Sequence, residues 1–168
     1  MDFVVREARP EDDAEVGELL VRAFVSTYER KMPEVRVNDE RRAELRNVAA
    51  KRKEAAVFVA EKGGRVVGTV AIFPPASARS EAWKPNSADI RHLAVEPELH
   101  GSGISGHLMD AAESRAREWG VTQICLHVRR GAHGVARFYQ GRGYIRDASG
   151  DLDYPSVFLE AFYLPIQG

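Results

Sequence analysis

The segment His100-Gly101-Ser102-Gly103-Ile104-Ser105-Gly106 constrains this chain more than any other. Before it lies the β-rich run Asp89-Ile90-Arg91-His92-Leu93-Ala94-Val95. After it, over 105–119, Leu108, Met109, Ala112 and Ala116 recur at helical spacing. The segment must therefore turn a strand into a helix. A helix start exposes N–H groups with no partner inside the helix and carries a partial positive charge, so it attracts anions. Glycine lets the backbone come close to a phosphate and adopt angles other residues resist. Two readings stand on these residues alone: a phosphate-binding loop, or a tight turn that glycine merely permits.

Gly101-x-Gly103-x-x-Gly106 also spells the dinucleotide-binding fingerprint. That fingerprint needs a strand running almost directly into the first glycine, repeated βαβ units, and an acid about 20 residues later at the end of the next strand. Here His100 stands five positions after Val95, antiparallel-looking strands precede the loop, and the next strand ends His127-Val128-Arg129. Context disfavours a nicotinamide or flavin site.

The rest of the chain reads as mixed α/β. Phe3 to Arg6 is a short strand. Pro10 with Glu11, Asp12 and Asp13 opens a helix, whose buried face is Val16, Leu19, Leu20, Ala23 and Phe24. Met32-Pro33 through Asn38 breaks that pattern, and a charged helix is predicted over about 39–53. Two β-rich runs, 56–60 and 65–73, flank Gly63-Gly64 as a hairpin. Residues 74–87 form a loop. A strand over 122–128, a short helix over 135–140, and strands near 144–145 and 156–164 complete the order.

Bulk composition narrows the function. The 168 residues suit one domain with a sizeable core, 44% are hydrophobic and the net charge is -1. That balance gives no electrostatic case for nucleic acid. The apolar runs fall far short of the roughly 20 residues of a membrane span, and the first residues lack a signal-peptide pattern. The single cysteine, Cys125, excludes an internal disulfide and fits a cytoplasmic location. The five histidines lack zinc-site spacing, so no metal is expected.

Leu93-Ala94-Val95-Glu96-Pro97, followed by His100-Gly101-Ser102-Gly103-Ile104-Ser105-Gly106, resembles the central motif of the GNAT superfamily of N-acetyltransferases. There a strand ending Leu-x-Val and a Pro-containing turn lead into Arg/Gln-x-x-Gly-x-Gly/Ala. A second segment, Val128, Ala132, Val135, Phe138-Tyr139 and Gly143-Tyr144, is similar to the family's later motif, and Arg6-x-Ala8-x-Pro10-x-Asp12 to its opening. His100 stands where the family has Arg or Gln, Ser105 where it has Gly or Ala, and Ala132 where it has Asn.

The resemblance implies a single GNAT-like domain over 1–168. Its mixed, mostly antiparallel, splayed sheet would have about seven strands flanked by about four helices. It implies acetyl-CoA as acyl donor, held by Leu93, Ala94, Val95, His100, Gly101, Ser102, Gly103, Ile104, Ser105, Gly106 and Phe138. A bulge in strand 89–95 would part it from strand 122–128, leaving backbone groups for the pantetheine amides. The acceptor would be an amine of a small molecule or of a peptide or protein, and a homodimer is left open. Tyr139 is the expected acid and Asp89 the expected base, through water. Arg91 cannot be a base because it stays protonated, but could bind an acidic acceptor group. His92 has a suitable pKa but faces away unless a bulge turns it. Cys125 reads as core, His127 and His133 as structural or surface groups, and Glu29, Glu34 and Trp83 as candidate acceptor-site residues. The alternative is an acyl-CoA-binding module without transfer activity.

Overall fold

Val4–Glu7 (β1) pairs antiparallel with Ala56–Lys62 (β2), Val4 opposite Glu61 and Glu7 opposite Phe58. Among the described residues between them lie the α-helices Asp13–Val21 (α1), Asp39–Arg46 (α2) and Val48–Glu54 (α3). The computed structural model describes residues 2–26 and 39–166. Met32 to Asn38, Glu29 and Glu34 lie outside the described residues.

The start of α1 is led by proline as its sequence suggests, but Asp12 looks backward along the chain. Pro10–Asp12 is a short 3-10 turn. The Asp12 carboxylate accepts hydrogen bonds from the Arg9 backbone N–H at 2.7 Å and from Arg6 at 2.7 and 3.0 Å. Asp13 instead pairs with Arg52 of α3 at 2.7 Å. The Arg6 guanidinium holds Asp12 below its ordinary pKa of 3.8. A depressed pKa stabilises the fold above the unfolded value, and this stability is lost as pH falls through the folded one. Asp12→Asn should therefore cost about 1–2 kcal/mol at pH 7. The gap to wild type should close toward pH 3, as measured by urea unfolding at both pH values.

The charged helix predicted over 39–53 is two helices. Asn47 leaves the helical region (φ -83°, ψ 61°), and its side chain accepts the Ala50 N–H at 3.4 Å. An asparagine that caps a new helix ends the old one. Leu45 and Val48 are buried with Val16, Leu19, Leu20, Val59, Val66 and Ala94 in one core cluster, whereas Ala43 and Ala49 are exposed.

Arg65–Phe73 (β3) and Ser87–Val95 (β4) follow, then Ile104–Glu118 (α4) and Gln123–Arg129 (β5). β4 and β5 run parallel, the expected βαβ unit. Leu108, Met109, Ala112 and Ala116 of α4 are fully buried. A Cβ on Gly68 of β3 would lie 3.0 Å from Ile104 and Leu108, so glycine there lets α4 sit close. His133–Gly141 (α5) leads to Ile145–Arg146 (β6), Leu152–Tyr154 (β7) and Val157–Pro165 (β8).

The fold class is the expected one: α/β, with an open, mostly antiparallel sheet. Among the described residues the sheet has eight strands in the order β1-β2-β3-β4-β5-β8-β6, with β7 on β8, and there are five α-helices. The chain divides into two compact units. One comprises the described residues of Met1–Ala71 and His92–Ala112, the other those of Ile72–Arg91 and Glu113–Gly168. Among the described residues no helix is long and apolar enough to cross a membrane.

Candidate active site

The first unit carries the loop. After Val95 the Glu96 N–H reaches the Val67 carbonyl at 2.9 Å, and the buried Glu96 carboxylate pairs with Arg22. Pro97–Leu99 makes a 3-10 turn. Gly101 (φ 85°) and Gly103 (φ 90°) are both left-handed, with open space where a Cβ would be. Their need for glycine is therefore conformational and not steric. The first ladder bond of α4 runs from the His107 N–H to the Gly103 carbonyl at 3.2 Å. The N–H groups of Ile104, Ser105 and Gly106 precede that ladder, and Gly103 has no side chain to cap them. Gly101, Ser102 and Gly103 are exposed beside them. This arrangement suits an anion.

The His100 side chain stays close to its own backbone. Its Nε2 lies 3.2 Å from the Val95 carbonyl, so the imidazole folds back onto its own loop.

Inside β4, His92 takes φ 60°, a left-handed residue within a strand. This breaks the two-residue alternation of side chains along the strand, so Asp89 and Leu93 cannot be placed on one face by spacing alone. It also turns the His92 ring to a T-shaped contact with Phe24 (centroids 6.0 Å apart), with Nδ1 3.2 Å from Nζ of the buried Lys51. Sequence reasoning missed Lys51, because nothing in a charged helix marks one lysine as buried. The ladder of β4 with β5 ends at Ile90–Leu126, while β5 continues against β8 to Arg129–Leu159. Leu93, Ala94 and Val95 thus lie beyond that ladder.

The second unit holds Asp89, Phe138 and Tyr139. Asp89 is 1% exposed. Its Oδ2 accepts the Glu81 N–H and the Arg91 Nε, each at 2.8 Å, and its buried Oδ1 has no hydrogen-bond partner among the described residues. Burial pushes its pKa up, against the opposing pull of Arg91. Arg91 is also engaged with Glu81 at 3.0 Å and with the Arg79 carbonyl, and it lies over the Phe73 ring. The guanidinium is thus committed within its own unit.

Trp83 lies flat on Gly150, donates its indole N–H to Asp147 at 3.0 Å, and meets His127 edge-on at 5.2 Å. It anchors the loop that follows β3. His127 Nε2 lies 2.8 Å from the Gly150 carbonyl, His133 is exposed, and Cys125 is a buried core residue.

Tyr139 is placed by the end of α5. Gly143 (φ 100°) closes the helix: the Tyr144 N–H reaches the Tyr139 carbonyl at 3.1 Å and the Gly143 N–H the Gln140 carbonyl at 3.0 Å. This is a Schellman ending, which characteristically brings together the side chains corresponding to Tyr139 and Tyr144. Their rings are 5.7 Å apart, and the Phe138 ring lies 5.3 Å from that of Tyr139. Burial pushes the Tyr139 pKa up, so the phenol stays protonated.

The sequence matches the acetyltransferase (GNAT) family over residues 14–144. It is 33% identical over 90 residues to N-acetyltransferase 8B of Rattus norvegicus, covering 52% of this chain and 38% of that protein. It is 31% identical over 141 residues to the amino-acid acetyltransferase of Pseudomonas putida, covering 84% of this chain and 27% of that protein. The chain thus spans well under half of these relatives' lengths. Two solved structures share its fold. A GNAT-family acetyltransferase from Staphylococcus aureus Mu50 superposes with a TM-score of 0.76 at 15% identity, covering 98% of this chain and 99% of the other. The PaiA N-acetyltransferase of Thermoplasma acidophilum, solved in complex with coenzyme A, gives 0.71 at 17% identity, covering 96% and 98%.

Proposed function

Because this chain belongs to the GNAT acetyltransferase family, we propose that it transfers an acetyl group from acetyl-CoA directly to an amine of a small molecule, peptide or protein. The observation that carries this reading is the pair of left-handed glycines opening α4 with uncapped N–H groups. We read 1–168 as one such domain, since the matched residues run through both units.

In this reading Gly101 to Gly106 hold the phosphates with backbone N–H groups, and Leu93 to Val95 pair with the pantetheine amides. Phe138 packs against the donor. Bound acetyl-CoA supplies a thioester whose carbonyl carbon the amine attacks. The N–H of Leu93 or Ala94 donates to the thioester oxygen as negative charge grows there. The new C–N bond forms as the C–S bond breaks. Tyr139 gives its proton to the departing sulfur, and Asp89 takes the amine proton through a water. A carboxylate whose burial raises its proton affinity, with one oxygen lacking a partner, suits that task.

Titration calorimetry with acetyl-CoA and with NADH tests the donor. Acetyl-CoA should bind and NADH should not; no heat with acetyl-CoA would sink the reading. Free-thiol release across a panel of amines and peptides then tests transfer. Binding without thiol release from any acceptor would leave a module that only holds acyl-CoA.

A further inference from the structure

Glu113 is a buried carboxylate on a helix whose neighbouring positions, Met109, Ala112 and Ala116, are fully buried and apolar. A buried charge is costly unless well paired, so its partners matter. Arg142 meets it two-pronged, Nη2 to Oε1 at 2.7 Å and Nε to Oε2 at 3.3 Å, and the Tyr144 hydroxyl donates to Oε2 at 2.9 Å. These partners are the same two residues whose backbone N–H groups hold the Tyr139 carbonyl, Arg142 at 2.9 Å and Tyr144 at 3.1 Å. Each is therefore tied at one end to Tyr139 and at the other to a single carboxylate on α4. The Tyr144 ring lies against Tyr139 at a 65° interplanar angle. With its backbone N–H and its hydroxyl both held, the Tyr144 side chain cannot change its χ1 rotamer without breaking one of the two bonds.

We propose that Glu113, with Arg142 and Tyr144, is a positioning device that fixes the orientation of the Tyr139 side chain for proton donation. The inference rests on the reading of Tyr139 as the acid. Glu113 and Tyr144 do not touch the reacting atoms; they act through Tyr139. Tyr144 serves as a donor because burial, reinforced by Glu113, keeps its phenol protonated.

The test is a double-mutant cycle read by thiol release with acetyl-CoA and an accepted amine. Tyr144→Phe removes one hydroxyl and leaves the Glu113–Arg142 pair, so the variant should fold, as circular dichroism will check. It should lower kcat about threefold to tenfold with the KM for acetyl-CoA unchanged. In a Tyr139→Phe background the same substitution should lower kcat by less than about twofold, because there is no hydroxyl left to position. A role confined to stability would act alike in both backgrounds. Glu113→Gln, which keeps an acceptor for Tyr144, should lose less than Glu113→Ala. An equal fall in both backgrounds, or none in the wild type, overturns the proposal while leaving Tyr139 as the acid. An inert Tyr139→Phe would overturn the acid reading, and this inference with it.

Discussion

Tyr139→Phe should slow acetyl transfer at least about tenfold while leaving the affinity for acetyl-CoA unchanged. The substitution removes one oxygen and keeps the ring, so the contacts with Phe138 and Tyr144 at 5.3 and 5.7 Å survive. What it deletes is the proton offered to the departing thiolate. A positioned general acid contributes roughly 100-fold to 10,000-fold, and solvent water can replace part of it, which sets the modest lower bound. The raised pKa of Tyr139 adds a sign. A phenol that stays protonated through the working range cannot produce an alkaline fall in rate, so the pH profiles of wild type and variant should run parallel. Thiol-release kinetics and acetyl-CoA titration check both halves. An unchanged kcat would remove Tyr139 from the role.

Gly150→Ala should destabilise the protein by about 2–4 kcal/mol. A Cβ at Gly150 would lie 2.2, 2.3 and 2.6 Å from three indole carbons of Trp83, far inside any tolerated contact. The backbone there is not left-handed, so the whole cost comes from the ring. Trp83 cannot withdraw freely, since its N–H is bound to Asp147 and its edge meets His127. Moving it would strip Asp147 of one of the donors that hold its pKa well below the usual carboxylate range, Ser149 being the first of them. Urea unfolding followed by circular dichroism reads the effect. An unchanged midpoint would mean that the indole does not lie on Gly150.

Legibility in the sequence followed the range of the interactions. Gly101 and Gly103 could be read in advance, because left-handed backbone at a strand-to-helix turn is a local demand that few residues meet. The buried face of α4 followed from period alone. The pattern over 39–53 reads as one helix, because the capping role of Asn47 competes with a helical pattern that continues on both sides of it. β7 carries no signal in the sequence: Leu152–Tyr154 is too short for a periodic pattern and pairs with Val157 to Leu159 of β8. Trp83 reads from the sequence as an acceptor-site candidate; the structure adds its bond to Asp147 and its seat on Gly150, residues more than sixty positions away that no local pattern links to it.

By itself the sequence determined most of the element order, the glycine loop, the family motifs and the apolar faces, since each depends on residues a few positions apart. Only the tertiary structure decided the left-handed turn at His92, the burial of Lys51, the commitment of Arg91 to Asp89 and Glu81, and the joining of Glu113 to Arg142 and Tyr144. These are all charged or polar groups whose state depends on what lies beside them. Apolar residues declare their burial by periodicity, whereas a buried charge is tolerated only where a distant partner meets it, and no local pattern records that partner.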